Sequence, residues 1–301
     1  MKFLLLGKNG QVGWELQRSL APLGELIALD RLGDTNLAGD VTDFNGIRRT
    51  IEKTRPDIIV NAAAYTSTDN AEIEQNQAML VNGIAPGIIA EHAKEVGAIL
   101  VHYSTDYVFN GKSNTPWKET DCPDPINYYG YSKLAGEKAV IDSGCDYLIF
   151  RVSWVYSALG NNFLSNMQRL IEGRDKLDVV ADQEGAPTSA ELIADISAIC
   201  ISKSATNRSF CGLYHLAADG KTNWHEYAQT ISLWLQEHGV SIKASPDNIK
   251  PKLTSQYKTT AVRPLYSRLD ISHLRETFGV RCPGWELGVF RALSERNYKH
   301  L

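Results

Sequence analysis

Tyr129, Gly130, Tyr131, Ser132 and Lys133 set a phenol four residues ahead of an ammonium. On a helix that spacing puts both groups on one face, where they can reach a single ligand. A phenol with an ordinary pKa of about 10 is protonated at neutral pH and can give its proton to an oxyanion. The ammonium would stabilise the phenolate left behind and lower the phenol's pKa, and it could also hold a ribose. Upstream, Thr105 in Ser104-Thr105-Asp106-Tyr107 offers a hydroxyl for the same carbonyl oxygen. The chemistry these three groups suit is reduction of a ketone, which requires a hydride donor. With 13 tyrosines in the chain, about one such spacing arises by chance. The weight therefore lies in the placement of the pair after four strand-helix units; the bland alternative is a surface tyrosine beside a solvated lysine.

A binding turn for that donor stands at the start of the chain. Gly7, Gly10 and Gly13 follow an apolar run and open a helical pattern. Missing β-carbons let a backbone turn sharply and approach a pyrophosphate at a helix N-terminus. Asn9 and Gln11 can add polar contacts, and Asp30, after the second apolar run, stands where an acid binds the adenosine ribose hydroxyls. Arg31 beside it could accept a 2′-phosphate, so NADPH and NADH are both expected to serve.

Positioning these groups requires a sheet. Strand-length apolar runs at Phe3–Leu6, Leu26–Leu29, Ile58–Asn61, Ile99–Tyr103 and Leu148–Val152 alternate with helical patterns at Gln11–Leu20, Ile47–Thr54, Asn76–Val96 and Lys133–Ile141. That alternation predicts an α/β fold with a Rossmann-type doubly wound parallel sheet. Beyond about Ser153 the pattern loosens, with helices near Asn162–Ile171, Ala190–Ile201 and Trp224–Glu237 and a proline-bearing, turn-rich tract from Ser245 to Arg268. We read residues 1–155, with part of 175–225 returning to it, as the dinucleotide-binding domain and 156–301 as mainly a smaller C-terminal substrate-binding lobe.

Composition narrows the function classes. Lys and Arg number 31 against 35 Asp and Glu, a formal charge of −4, which offers no footprint for nucleic acid or an anionic membrane. The apolar run after Met1 and Lys2 ends at Leu6 and no stretch approaches a membrane span, so no signal peptide and a cytoplasmic location are expected. Cys122, Cys145, Cys200, Cys211 and Cys282 are odd in number and widely spaced, which indicates neither a disulfide framework nor a zinc site.

Gly7-Lys8-Asn9-Gly10-Gln11-Val12-Gly13, Asn61-Ala62-Ala63-Ala64, Ser104-Thr105-Asp106-Tyr107-Val108-Phe109, Tyr129 with Lys133, Ser153-Trp154-Val155-Tyr156 and Asp182-Gln183-Glu184-Gly185-Ala186-Pro187-Thr188 together resemble the dTDP-4-dehydrorhamnose reductase family of extended short-chain dehydrogenases/reductases. The resemblance runs from Lys2 to about Glu295. It implies reduction of the C4 ketone of dTDP-4-dehydro-L-rhamnose to dTDP-L-rhamnose, with Thr105, Tyr129 and Lys133 as the catalytic trio. It further implies cofactor contacts at Gly10, Gln11, Val12, Asp30, Asp40, Val41, Ala62, Ala63, Ala64 and Tyr65, besides Tyr129 and Lys133. Substrate contacts would be Thr105, Asp106, Tyr107 and Trp154, with Arg263 pairing with the diphosphate. A homodimer is implied as well, with Mg²⁺ at the dimer contact held by Glu15, Glu191 and Glu295, although glutamates so far apart in sequence are more often solvated helix-face residues. Tyr266 stands where that family usually has asparagine, and Ser67, Thr68 and Asn70 also depart from its pattern.

A nucleotide-sugar epimerase or dehydratase, or another 4-keto sugar reductase, would share the fold. Dehydration needs a second carboxylate after Asp106, where Tyr107 stands. A catalytically silent regulatory subunit need not keep Thr105, Tyr129 and Lys133 together. No G-x-S-x-G elbow for a serine hydrolase occurs.

Overall fold

The computed structural model describes residues 1–298. Strands β1 (Lys2–Leu6), β2 (Glu25–Leu29), β3 (Ile58–Asn61), β4 (Ile99–Thr105), β5 (Tyr147–Val152) and β6 (Gly212–Leu216) form one sheet. Its order is β6-β5-β4-β3-β1-β2, and every pairing is parallel. The strands carry near-continuous apolar runs because both faces of the sheet are covered. From β1 the chain winds outward to β2 and then crosses to β3 on the other side. That reversal opens a crevice at the strands' carboxyl ends.

The five strands read from sequence fall within observed ones, and β6 was missed. Its residues Gly212-Leu213-Tyr214-His215-Leu216 carry a fully buried histidine. The partners that satisfy it are remote: Glu119 Oε1 accepts from the His215 backbone N–H at 2.8 Å, and Nδ1 lies 3.0 Å from the Trp117 carbonyl.

Helices α1 (Gln11–Leu20), α2 (Phe44–Thr54), α3 (Ala85–Val96), α4 (Tyr128–Ser143), α5 (Phe163–Gly173), α6 (Ala190–Thr206), α7 (Trp224–Glu237), α8 (Ser272–Phe278) and α9 (Trp285–Arg296) complete the layers. Leu16, Leu20, Ile193, Ile201 and Phe278 of α1, α6 and α8 join one apolar core on the sheet. Ile47, Ile51, Ile89, Ala93 and Val140 of α2, α3 and α4 join another with the strands' alternate side chains. A separate core around Leu164, Ile171, Tyr227, Ile231, Trp285 and Val289 holds α5, α7 and α9 together. Among the described residues no helix is long and apolar enough to cross a membrane.

The helix expected over Asn76–Val96 is broken in two. A π-helical turn, Leu80–Ile84, separates Gln75–Met79 from α3. Asn82 in that turn faces inward, its side chain donating to the Tyr65 carbonyl and accepting from the Tyr65 N–H, both at 2.9 Å. Widened turns of this kind cluster at functional sites, and this one fixes the backbone beyond Ala64.

Helix α4 begins at Tyr128, five residues before the expected start, because Asn127 caps it by accepting from Gly130 N–H at 2.8 Å. A buried ion pair pins it to β5: Arg151 donates from Nη2 to Glu137 Oε2 at 2.7 Å and from Nε to Oε1 at 2.9 Å. The two side chains are 4% and 2% exposed.

Candidate active site

Over the carboxyl ends of β1, β3 and β4 lies a cavity of about 870 Å³. The glycine turn forms one end. Gly7 has φ 87°, and its carbonyl accepts from Gly10 N–H at 3.1 Å. A β-carbon on Gly13 would stand 2.0 Å from that carbonyl, so α1 can approach β1 only through glycine. Gly10 is different: its β-carbon would meet nothing nearer than the Gly7 carbonyl at 3.4 Å, and the residue lines the cavity. Helix α1 has no side-chain cap, which leaves its first N–H groups aimed at this space. Uncapped donors at a helix N-terminus, with bare backbone beside them, fit a pyrophosphate.

Along this wall stand Gly7, Gly10, Gln11, Val12, Arg31, Asp40, Val41, Ala62, Ala63, Ala64 and Tyr65, all expected from sequence. Asn61 shapes the Ala62–Ala64 edge by accepting from Ala63 N–H at 3.2 Å. Gly13 and Asp30 lie off the wall. Asp30 is engaged by Asn9 Nδ2 at 3.0 Å and by Leu32 N–H at 2.9 Å, with Lys8 Nζ at 3.6 Å. The acid on the wall is instead Asp40, paired with Arg31 at 3.0 Å. Thr42 donors and that guanidinium hold its carboxyl below the usual range despite partial burial.

Thr105 at the end of β4 and Tyr129 and Lys133 on α4 line the same cavity. Lys133 is 2% exposed and donates to the Tyr103 carbonyl. Burial pushes its pKa down to about 8, opposed by the Glu137 carboxylate. Burial also pushes the Tyr129 phenol up to about 12, with a hydrogen bond between it and the Thr105 hydroxyl pulling the other way. Here the structure corrects an expectation. Loss of solvation outweighs any lowering of the phenol by Lys133, whose charge is directed to the Tyr103 carbonyl. Asp106, 2% exposed, is pushed up to about 6 by burial, against hydrogen bonds from Ser267, Thr105 and Ser153.

At the far end Tyr107 meets Tyr129 edge-on, with centroids 5.8 Å apart, and Trp154 stacks flat on Trp224 at 3.6 Å. Asp106, Tyr107 and Trp154 all line the cavity. Sequence reasoning missed Trp224, Asn162, Phe163 and Tyr227 on this wall. Asn162 could have been found as the cap before a helical pattern. It donates to Gln11 Oε1 at 2.9 Å and so ties α5 to the glycine turn.

Two further expectations fare differently. Arg263 is off the cavity wall, its guanidinium paired with Asp69 at 2.7 and 3.3 Å. Glu15, Glu191 and Glu295 come near one another, and their mutual repulsion adds to the burial that raises Glu15. They are nonetheless not arranged as ligands: Arg18 contacts Glu15 at 3.3 Å and Glu191 at 4.0 Å, and Arg291 holds Glu191 at 2.7 Å. Among the described residues no group of three or more His, Cys, Asp or Glu could hold a metal ion, and the arginines on Glu15 and Glu191 occupy the carboxylates that Mg²⁺ would need.

The family described as RmlD substrate binding domain matches residues 1–297. A dTDP-4-dehydrorhamnose reductase of Shigella flexneri is 49% identical over 295 residues, which are 98% of each chain. The crystal structure of dTDP-4-dehydrorhamnose reductase from Bacillus anthracis in complex with NADP superposes with a TM-score of 0.86 at 35% identity, covering 98% of this chain and 100% of that one. UDP-glucose 4-epimerase of Thermus thermophilus, 18% identical over 98% of this chain and 99% of its own, shares the fold at a TM-score of 0.80. A glycine turn with an uncapped helix, a Thr-Tyr-Lys group across one cavity from it and near-complete alignment at this identity leave one assignment: the chain belongs to the dTDP-4-dehydrorhamnose reductase family.

Proposed function

We propose that this chain reduces the C4 ketone of dTDP-4-dehydro-L-rhamnose to dTDP-L-rhamnose, using NADPH or NADH, with Tyr129 as proton donor. The observation that carries the reading is the meeting of Thr105, Tyr129 and Lys133 in the cavity whose other end is the uncapped glycine turn. The name of the Shigella relative and the NADP bound to the Bacillus anthracis relative support the substrate and the cofactor. Residues 1–155, with part of 175–225, would bind the dinucleotide and 156–301 mainly the sugar nucleotide.

The nicotinamide supplies the hydride when bound. Gly7, Gly10, Gln11 and Val12 would hold the pyrophosphate, and Arg31 and Asp40 would flank the adenosine ribose. Lys133, braced by the Tyr103 carbonyl, directs its remaining N–H groups to the other ribose and to the charge that develops on Tyr129. With its pKa near 12, the phenol is fully protonated at neutral pH and hands its proton to the alkoxide oxygen that forms at C4. Thr105, its hydroxyl proton turning from Asp106 to that oxygen, holds it in place, and Asp106, Tyr107 and Trp154 face the hexose.

Mg²⁺ has no part in this reading. The arginine-paired carboxylates of Glu15 and Glu191, beside the exposed Trp14 of α1 and Leu287 of α9, support a homodimer through that face.

The test supplies purified protein with dTDP-4-dehydro-L-rhamnose and NADPH, follows reduced-nicotinamide absorbance and identifies the sugar. Stoichiometric NADPH consumption with dTDP-L-rhamnose as product is expected. A product formed with the cofactor recycled would instead mark an epimerase. NADPH binding without oxidation by any 4-keto nucleotide sugar would mark a silent subunit.

A further inference from the structure

Trp154 holds a left-handed backbone conformation, φ 46°, which is costly for a bulky residue and persists only where its surroundings impose it. Its surroundings come from the segment Asp182–Thr188, whose residues have no part in the chemistry above. A β-carbon on Gly185 would stand 2.5 Å from the Trp154 indole, so glycine alone admits the ring there. Against that ring lies Trp224, with centroids 3.6 Å apart and planes within 8°.

Trp224 is itself held in one orientation. Its Nε1–H donates to Gln183 Oε1 at 3.0 Å. Gln183, 5% exposed, donates from Nε2 to Thr254 Oγ1 at 3.0 Å. The Thr254 hydroxyl gives its only proton to Asp182 Oδ1 at 2.6 Å, and its backbone N–H donates to the same carboxylate at 2.9 Å. Because Thr254 Oγ1 is thus an acceptor toward Gln183, the amide nitrogen must face Thr254 and the amide oxygen must face the indole. Donation runs in a single direction, from Trp224 through Gln183 and Thr254 to Asp182.

We propose that Trp224, oriented by Gln183, is a positioning residue that sets the Trp154 indole against the hexose, with the Asp182–Thr254 pair as its anchor. The proposal rests on the reading of Trp154 as a sugar contact. Without the stacked partner, the Trp154 ring would have open cavity on that side and no fixed plane to offer the sugar. An aromatic pair of this kind corresponds to roughly a three- to tenfold effect, and that is the size expected in the sugar's KM.

Four variants test it: Trp154→Phe, Trp224→Leu, Gln183→Met, and the double variant Trp154→Phe with Trp224→Leu. Each is measured for KM toward dTDP-4-dehydro-L-rhamnose and toward NADPH. Far-ultraviolet circular dichroism reports the exciton couplet of the stacked indoles in the free protein. The expected result is a couplet in the unsubstituted protein that both tryptophan variants lose. Trp224→Leu and Gln183→Met should raise the sugar KM by about three- to tenfold with the NADPH KM unmoved. The double variant should be no worse than Trp154→Phe alone, because Trp224 acts through Trp154. Should Trp224→Leu fail to fold, Gln183→Met carries the same comparison. If Trp154→Phe raises the sugar KM while Trp224→Leu and Gln183→Met leave it unchanged, or if the double variant's losses simply add, the positioning role is overturned and Trp154 keeps its contact. If Trp154→Phe also leaves the sugar KM unchanged, the contact falls and the proposal with it.

Discussion

The single proton of the Thr105 hydroxyl is directed to Asp106, with Oγ1 3.0 Å from Oδ1, while Oγ1 accepts from Tyr107 N–H at 3.1 Å. In the ligand-free site the carboxylate thus holds the Thr105 hydroxyl in place at the wall, from which its proton turns to the ketone oxygen when substrate binds. Burial lifts the Asp106 pKa from 3.8 to about 6, so the orienting charge exists only above that pH. We expect kcat/KM to fall as pH drops through about 6 and Asp106→Asn to lack this limb. Between 3.8 and about 6 the folded chain binds the extra proton, so this group's contribution to stability declines across the window where activity rises. An unchanged acid limb in Asp106→Asn would remove Asp106 from the site's titration.

Lys133 supplies the opposite limb. Burial lowers it from 10.5 to about 8, so its ammonium is present at neutral pH and lost as pH rises through about 8, where turnover should fall. The unfolded chain keeps that proton up to 10.5, so over the same interval this group's contribution to stability grows with pH. Activity and stability should therefore diverge on the alkaline side. A pH profile flat to pH 10 would contradict the role given to the ammonium.

Tyr129→Phe removes the proton donor without opening the core. A fall in kcat of roughly 10² to 10⁴ is expected, with the thermal midpoint and NADPH affinity retained. An unaltered rate would exclude the phenol from the reaction.

Arg31, with a side chain 81% exposed at the cavity rim and paired with Asp40, is the residue placed to meet a 2′-phosphate. Arg31→Ala should raise the NADPH KM by about tenfold, the scale of one screened charge-assisted hydrogen bond, and leave NADH nearly untouched. A preference of the unsubstituted protein for NADH by roughly a hundredfold would refute this placement.

Much of the reacting end is legible in the sequence because it depends on short-range geometry. Tyr129 and Lys133 share a helix face, Thr105 ends a buried strand, and Gly7, Gly10 and Gly13 sit within one turn. The five apolar strands are legible for the same reason, since burial on both faces leaves an uninterrupted run. What stays hidden depends on partners far along the chain. Trp224 reaches the cavity through Gln183 and Trp154. Arg263 is engaged by Asp69, 194 positions distant, which takes its guanidinium. His215 can be buried on the edge strand β6 only because Glu119 and the Trp117 carbonyl meet it from a loop. The pKa values of Lys133 and Tyr129 are hidden as well, because desolvation is a property of the packed core and carries no sequence spacing.

The Arg151–Glu137 pair gives the last test, because it ties the strand beside Thr105 to the helix bearing Tyr129 and Lys133. Both side chains are almost fully enclosed, and Arg151 also lies 5.1 Å over the Phe109 ring, with Nη1 3.4 Å from His215 Nε2. Removing one partner strands the other as a buried uncompensated charge. Glu137→Leu should therefore destabilise the fold by about 3–5 kcal/mol in a urea titration. Replacing both, Glu137→Leu with Arg151→Met, removes the charges together and should recover most of that loss, since buried ion pairs contribute little net stability over apolar contacts of similar volume. Glu137 also opposes the fall in the Lys133 pKa. The double variant, though folded, should therefore lose turnover at a lower pH on its alkaline side. An alkaline limb that stays in place in the folded double variant would show that Glu137 anchors α4 without tuning the lysine.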